Sequence, residues 1–335
     1  MQGFLGMTRA GGSTPVLVLA EGAVLRCILE TERRVAPEGL SRRAFQTMHE
    51  AQSKTLWGTR HERWYALVDG NEVLASAMAC DLIATLGGRS IRVLGIGSVC
   101  SHSARAADSH TRALVAQLVD VAERTGADLA LLWSTPGSEP LVSEGFESIP
   151  MLEVELTVSH SVRHGAPMTL VRSGEDRDLA AIVAMGAVRA GPFRFHPDRD
   201  VDYVKYVITK KRLLAGVAPR GTREVQFVIA EEGITAAAYV VLSIAGGTWI
   251  LEECGDRDPS GARVGALLQA LIAREPAEQR PVIRGWLPSG FLPPQATILS
   301  SRPSPETLLV RPLTSSADVS RLSRDEVLWW RADIF

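Results

Sequence analysis

The sequence predicts an α/β protein of two like units in tandem, each a mixed β-sheet flanked by α-helices. The first observation is the stretch from Arg92 to Pro150. It opens on an apolar, β-branched run, Val93 to Val99, and continues through a polar loop, Cys100 to Asp108. A helical segment then sets Leu114, Val115, Leu118, Val121 and Ala122 on one face and stops at Gly126. A second apolar run, Ala127 to Trp133, completes strand, loop, helix and strand. That order is a βαβ unit with two parallel strands and a right-handed crossover. The second observation is that the outline returns after residue 168. The third is length: 335 residues suit two domains that each bury a core.

Taken in order, residues 1–14 are rich in Gly, Ser and Thr and read as a tail. Val16 to Ala20 is a short strand. Leu25 to Gln52 is helical, broken near Pro37-Glu38-Gly39, with Ser41 as the N-cap of a second helix. Trp64 to Asp69 and Val73 to Cys80 form a hairpin about Gly70-Asn71, and Gly87-Gly88 turns the chain into the βαβ unit. Leu152 to Val158 closes the first unit, residues 15–158. Ser159 to Pro167 reads as the linker, and residues 168–335 as the second unit. There Val225 to Ala230 and Ile234 to Leu242 repeat the hairpin about Gly233, and Trp249 to Cys254 repeats the central strand. Val264, Leu267, Leu268, Leu271 and Ile272 repeat the helix, and Val282 to Leu287 matches Leu129 to Trp133. One internal duplication accounts for all of this, and it predicts two units with a sheet each.

Composition narrows the function. A net charge of −2 gives no electrostatic case for nucleic acid or an anionic membrane as partner. No apolar run reaches the ~18 residues of a spanning helix. Residues 15–25 are interrupted by Glu21 and lack a good cleavage site, which argues against a signal peptide. Cys27, Cys80, Cys100 and Cys254 lack the spacing of a zinc site and read as free thiols of a cytoplasmic protein. No metal site is expected. The sequence leaves the oligomeric state open, a homo-oligomer included.

The residues LGIGSV before the loop, ALVAQLVDVAERTGADLALL through helix and strand, and the Gly145-Phe146 pair resemble the central motif of the GNAT (acetyl-CoA-dependent N-acetyltransferase) superfamily. Within it, the chain resembles the tandem group that includes the enhanced-intracellular-survival acetyltransferases and mycothiol synthase. The resemblance implies acetyl-CoA or another acyl-CoA as donor and an amine of a small molecule as acceptor. It also implies that the end of the first strand, Ser98, Val99 and Cys100, meets the pantetheine arm. The loop would cradle the pyrophosphate through a signature aligned on Ala106, Ala107, Asp108, Ser109, His110 and Thr111, of which Ser109, His110 and Thr111 are the expected contacts. Both glycines of that signature are missing, so the backbone cannot approach an anion as closely; Asp108 repels an anion or, at a helix start, serves as an ordinary N-cap, and weak or lost acyl-CoA binding is the expectation. Arg105 falls one residue early. The position of the family's proton-donating Tyr falls on Leu141, and Glu139 nearby is either a candidate acid at the splayed strand end or a helix N-terminal acid favoured by the dipole.

Several side chains are candidates for chemistry. Cys100, Ser101 and His102 adjoin in sequence, but neighbours on an extended segment point to opposite faces and form no dyad. Glu252 and Glu253 occupy the matching strand of the second half, where one of them faces the cleft as a base of raised pKa. Asp81, at the end of the third strand, is a similar candidate. His196, in Phe193-Arg194-Phe195-His196-Pro197, reads as a loop residue. The last residues, Val327 to Phe335, are too apolar for a frayed tail and should pack as a strand or hook. In the tandem relatives an aromatic chain end reaches the first cleft, and the resemblance makes the Phe335 carboxylate the base. Three classes stay open: an N-acyltransferase, a GNAT-fold enzyme turned to other small-molecule chemistry, and a non-catalytic binding protein. The resemblance puts the first ahead.

Overall fold

The computed structural model describes residues 14–35, 39–102, 107–134, 144–159 and 170–335. The tail up to residue 13, the linker after Ser159, Arg105, Ala106, Glu139 and Leu141 lie outside them.

Strand β1 is Val16–Leu19. Helices α1 (Gly22–Val35) and α2 (Arg42–Ser53) split the stretch expected to be helical, and the Ala44 amide donates to the Ser41 hydroxyl at 3.2 Å as the N-cap. A short α3 (Leu56–His61) leads into the hairpin β2 (Glu62–Asp69) and β3 (Glu72–Leu86), which turns at Gly70 with φ 59°. Next come β4 (Arg89–Ser101), α4 (Ala107–Arg124), β5 (Leu129–Ser134) and β6 (Glu147–Val158). The second half holds β7 (Leu170–Ser173), α5 (Leu179–Ala190), β8 (Phe195–Pro197) and α6 (Val201–Val217). Then follow β9 (Arg223–Glu232), β10 (Thr235–Ala245), β11 (Thr248–Asp256), α7 (Ala262–Ile272), β12 (Ile283–Gly285) and β13 (Ala296–Pro312).

The two βαβ units stand where the periodicity places them. β4 and β5 are parallel from Val93–Leu129 to Ile96–Leu132, and β11 and β12 from Trp249–Ile283 to Leu251–Gly285. The expectation of two separate sheets needs correction. Among the described residues one 13-stranded sheet runs β1-β2-β3-β4-β5-β13-β6-β12-β11-β10-β9-β7, with β8 on β3. The cause is an exchange between two long strands. β6 and β13 pair antiparallel along much of their lengths, and each also takes a partner from the opposite half over part of its length. Residues 307–312 of β13 lie on β5 of the first half, while Val154–Leu156 of β6 lie on β12 of the second. Each half lends the strand that satisfies the other's open edge, where unpaired backbone groups would otherwise meet water or another chain.

Strand alternation sorts the first half into two faces. Ala77, Ala79, Leu94, Ile96, Ala130 and Leu132 pack under Leu114, Val115, Leu118 and Val119 of α4. Trp64, Met78, Cys80, Leu82 and Val93 face Ile28 of α1, Phe45 of α2 and Tyr203, Val204 and Val207 of α6, in a core continuous with the second half. The chain end forms a hook of 3-10 turns, Arg324–Glu326 and Arg331–Asp333, rather than a strand. Trp329 and Trp330 are buried, and Trp329 lies 6.1 Å from Trp133, whose ring is tilted against Trp286 at 5.1 Å.

Candidate active site

β4 continues to Ser101, but its pairing with β5 stops at Ile96, so the two parallel strands part beyond that point. Against β3, Gly97 faces Met78 and Cys100 faces Ser76, leaving one extra residue on β4. This bulge holds Ser98 at φ 48°, a left-handed conformation that costs a side-chain-bearing residue about 1 kcal/mol or more. Bulges and strand ends of this kind are where α/β sheets present backbone to ligands.

The hook delivers Phe335 to this bulge. A Cβ on Gly95 would stand 2.6 Å from the Phe335 ring, and one on Gly97 would stand 2.5 Å from its oxygen. Both glycines are thus required by the close approach of the chain end. The hook is anchored by the Leu328 amide donating to the Phe195 carbonyl at 2.9 Å and by Asp333, 3.4 Å from the buried Arg199. Arg199 also holds Glu253 at 2.5 Å.

A cavity of about 220 Å3 adjoins Phe335, walled by α1, α2, β3, the bulge and α6. Four titratable side chains line it: Glu32, His49, Lys210 and Lys211. Glu32 of α1 is raised above its ordinary range by burial, and the Ser98 hydroxyl, donating to it, opposes that in part. His49 of α2 is pushed down to about 4 by burial, so it is neutral at pH 7. Lys210 of α6 is lowered to about 8 by burial and then by Lys211, and donates to the Ile334 carbonyl. Neither Glu32 nor Lys210 stands out in the sequence, since each sits in a run of charged helical residues. His49 follows a helical pattern in the same way.

The structure brings together Phe335, Ser98 and, behind them, Cys100. It does not bring the other proposed acids to this place. Asp81 lies on β3 opposite Leu94, exposed on the α4 face, and borders a surface depression with Arg60 and Arg92. It therefore faces away from Phe335, because alternate strand residues take opposite faces. Glu252 is the extra residue of a second bulge, on β11, where Val241 faces Glu253 and Leu242 faces Leu251. It is buried and pairs with Lys211 at 2.8 Å. Burial raises it, but Lys211 and Ser243 outweigh that and hold it below the usual range, so it is not a base of raised pKa. Glu253 is the raised one, through burial, but it is sealed against Arg199.

No dyad forms at Cys100. Its thiol is pushed up to about 11 by burial and the Glu32 charge, and His102 is engaged with Ser76 at 2.9 Å and Thr31 at 3.1 Å. His196 lies in β8, paired with Thr85. Among the described residues no group of three His, Cys, Asp or Glu converges to hold a metal.

The two helix N-termini differ in their fit to a pyrophosphate. In α4, Asp108 and Ser109 are exposed in the first turn, Thr111 donates back to the Ala107 carbonyl at 3.0 Å, and His110 Nδ1 is buried with no partner among the described residues. That end leaves polar groups for a ligand. At α7, the Asp256 carboxylate already accepts from the amides of Arg263 and Asp258, each at 2.8 Å, and of Val264 at 3.3 Å. An internal anion fills the place a phosphate would take, so the second half does not fit a CoA pyrophosphate.

Parallel strands that part at a bulge, next to a helix N-terminus, form a place where α/β sheets bind ligands. Residues 33–142 match the family model of the acetyltransferase (GNAT) domain. Among solved structures, a GCN5-related N-acetyltransferase from Anabaena variabilis is 10% identical, with a TM-score of 0.67 over 90% of this chain and 73% of that one. A probable N-acyltransferase from Enterococcus faecalis is 13% identical at TM-score 0.63, over 90% and 72%. Eis1 from Mycobacterium abscessus is 13% identical at 0.54, over 90% and 75%. No curated protein matches the chain. The chain therefore resembles the GNAT superfamily and, in fold, its tandem group that includes Eis. No helix among the described residues is long and apolar enough to cross a membrane.

Proposed function

We propose that this protein is an acyl-CoA-dependent N-acyltransferase that acts on the amine of a small molecule, with its reacting centre at the β4 bulge. The observation that carries this reading is Phe335, seated on Gly97 and lining one cavity with Glu32, His49 and Lys210. Acyl-CoA supplies the activated acyl carbonyl when bound. The chain's own residues then do the rest. Ser98, Val99 and Cys100 offer backbone where the strands part, and α4 offers Ser109, His110 and Thr111 at its N-terminus. The acceptor's ammonium would enter beside Glu32 and give one proton to the Phe335 carboxylate, which frees the nitrogen lone pair to attack the thioester carbonyl; as the C–N bond forms the C–S bond would break, and the departing CoA thiolate would take up the nitrogen's second proton to leave as the thiol. Phe45, Met48 and Leu214 supply apolar walls to the same cavity. All four cysteines are free, which supports a reducing, cytoplasmic setting.

The test is to extend the chain by one Gly after Phe335, and separately to delete Ile334 and Phe335. Thiol release from acetyl-CoA is then followed over a panel of primary amines. Both changes should cut turnover by about 100-fold or more, the scale of a lost general base, with little change in melting temperature. Full turnover in both variants rejects Phe335 as the base. Loss of folding on adding the Gly leaves it a packing role only.

A further inference from the structure

Lys210 and Lys211 are consecutive on α6, and their ammonium groups lie towards two bulges of the sheet, those of β4 and β11. Lys211 pairs with Glu252 at the β11 bulge, 2.8 Å away. Lys210 turns to the β4 side, where it borders the Phe335 cavity and donates to the Ile334 carbonyl. That carbonyl belongs to the peptide joining Ile334 to Phe335, so the bond orients the peptide that carries Phe335. The hook gives these two residues less hold of its own. Trp329, Trp330 and Ala332 are buried, whereas Ile334 and Phe335 are only half-buried.

We propose that Lys210 is a positioning residue, which holds Phe335 over the β4 bulge through the Ile334 carbonyl. The catalytic part of this rests on the reading that Phe335 takes the acceptor's proton. The surroundings of Lys210 argue against a merely structural role. One turn to either side, the same face of α6 carries Tyr206, Val207, Leu213 and Leu214. Burial, and next Lys211, disfavour its charged form, with Cys80 of β3, Glu252 of β11 and Asp333 of the hook only partly offsetting them. Its other neighbours are the Tyr206 ring, 5.7 Å from the ammonium, and, across the cavity, Glu32 of α1 and His49 of α2. An apolar side chain would suit this place better if packing were its only use. The sign follows: with its folded pKa near 8, below the unfolded 10.5, the lysine lowers stability at neutral pH and ceases to do so as pH rises from 8 to 10.5.

The experiment compares Lys210→Met and Lys210→Arg with the unaltered chain. Amide hydrogen exchange is read for residues 327–335, together with melting temperature at pH 7 and the split between kcat and the KM for acetyl-CoA. Lys210→Met should speed exchange at Ile334, whose amide donates to the Arg331 carbonyl, by about tenfold or more while Val327 and Leu328 stay protected, since only the local hold is lost. Its melting temperature should not fall. Its kcat should drop about tenfold or more with KM for acetyl-CoA within about twofold, the pattern of a displaced reacting group. Lys210→Arg should restore protection and turnover. Unchanged exchange in Lys210→Met overturns the proposal, as does a lower melting temperature with exposure of the whole hook. Absence of turnover in the unaltered chain rejects the reaction, and hydrogen exchange alone then decides the clamp.

Discussion

Two residues of the cavity carry opposite pH signatures. His49 has a folded pKa of about 4, below its ordinary 6.5, because burial disfavours its charge. The unfolded chain therefore binds that proton first, and stability falls as pH drops from 6.5 towards 4 by on the order of 3 kcal/mol. His49→Gln should flatten this part of a denaturation-against-pH curve; an equally steep curve in the variant rejects His49 as its source. Glu32 has its folded pKa raised above 4.5, so its favourable contribution is complete below pH 4.5 and is lost as pH rises through the folded value. Glu32→Gln should accordingly be more stable than the parent at pH 7.5 and nearly equal at pH 4, by urea midpoints. A variant less stable at pH 7.5 would show that Glu32 is instead held by cations. At this scale the sequence was least informative. Glu32 lies in Thr31-Glu32-Arg33-Arg34 and Lys210 in Lys210-Lys211-Arg212, runs that usually mark a solvated helix face. What singles them out is burial, and burial depends on which element lands above them. Asp81 and Glu252 erred for the same reason, since their sheet face and ion partner are settled by packing.

Elements were the most legible level. The 3.6-residue apolar period located α4 and α7, the period of two with Gly70 and Gly233 located the hairpins, and Ser41 marked the start of α2. The loop chemistry could be read only in part. Asp108 and Asp256 are both acids near a helix start, yet Asp108 is exposed and Asp256 is buried beneath three amides. Asp256→Ala should destabilise the protein by about 1–2 kcal/mol, the usual cost of a lost N-terminal cap. Asp256→Asn should recover much of it, because the amide oxygen can still accept. Equal urea midpoints for the Ala variant and the parent would mean that water replaces the carboxylate at no cost.

For the whole molecule, the strand exchange between β6 and β13 makes the halves interdependent. Residues 15–158 alone would leave β5 without its β13 neighbour, and residues 168–335 alone would leave β12 without β6. Expressed separately, each half should be insoluble or lack a cooperative transition, while the full chain unfolds in one step. Two independent melting transitions in the full chain, or two soluble halves with sharp unfolding, would reject this coupling. The two-unit plan, the α/β class and the buried aromatic end were determined by the sequence itself, because periodicity, turn residues and the hydrophobicity of Trp329 and Trp330 are local properties. Tertiary structure alone decided that the units share one sheet, that the end is a hook, and that Phe335 meets Glu32 and Lys210 at Gly97. Such pairings join residues as far apart as Glu32 and Phe335 and follow from how open strand edges and apolar faces are satisfied in space, which no local pattern records.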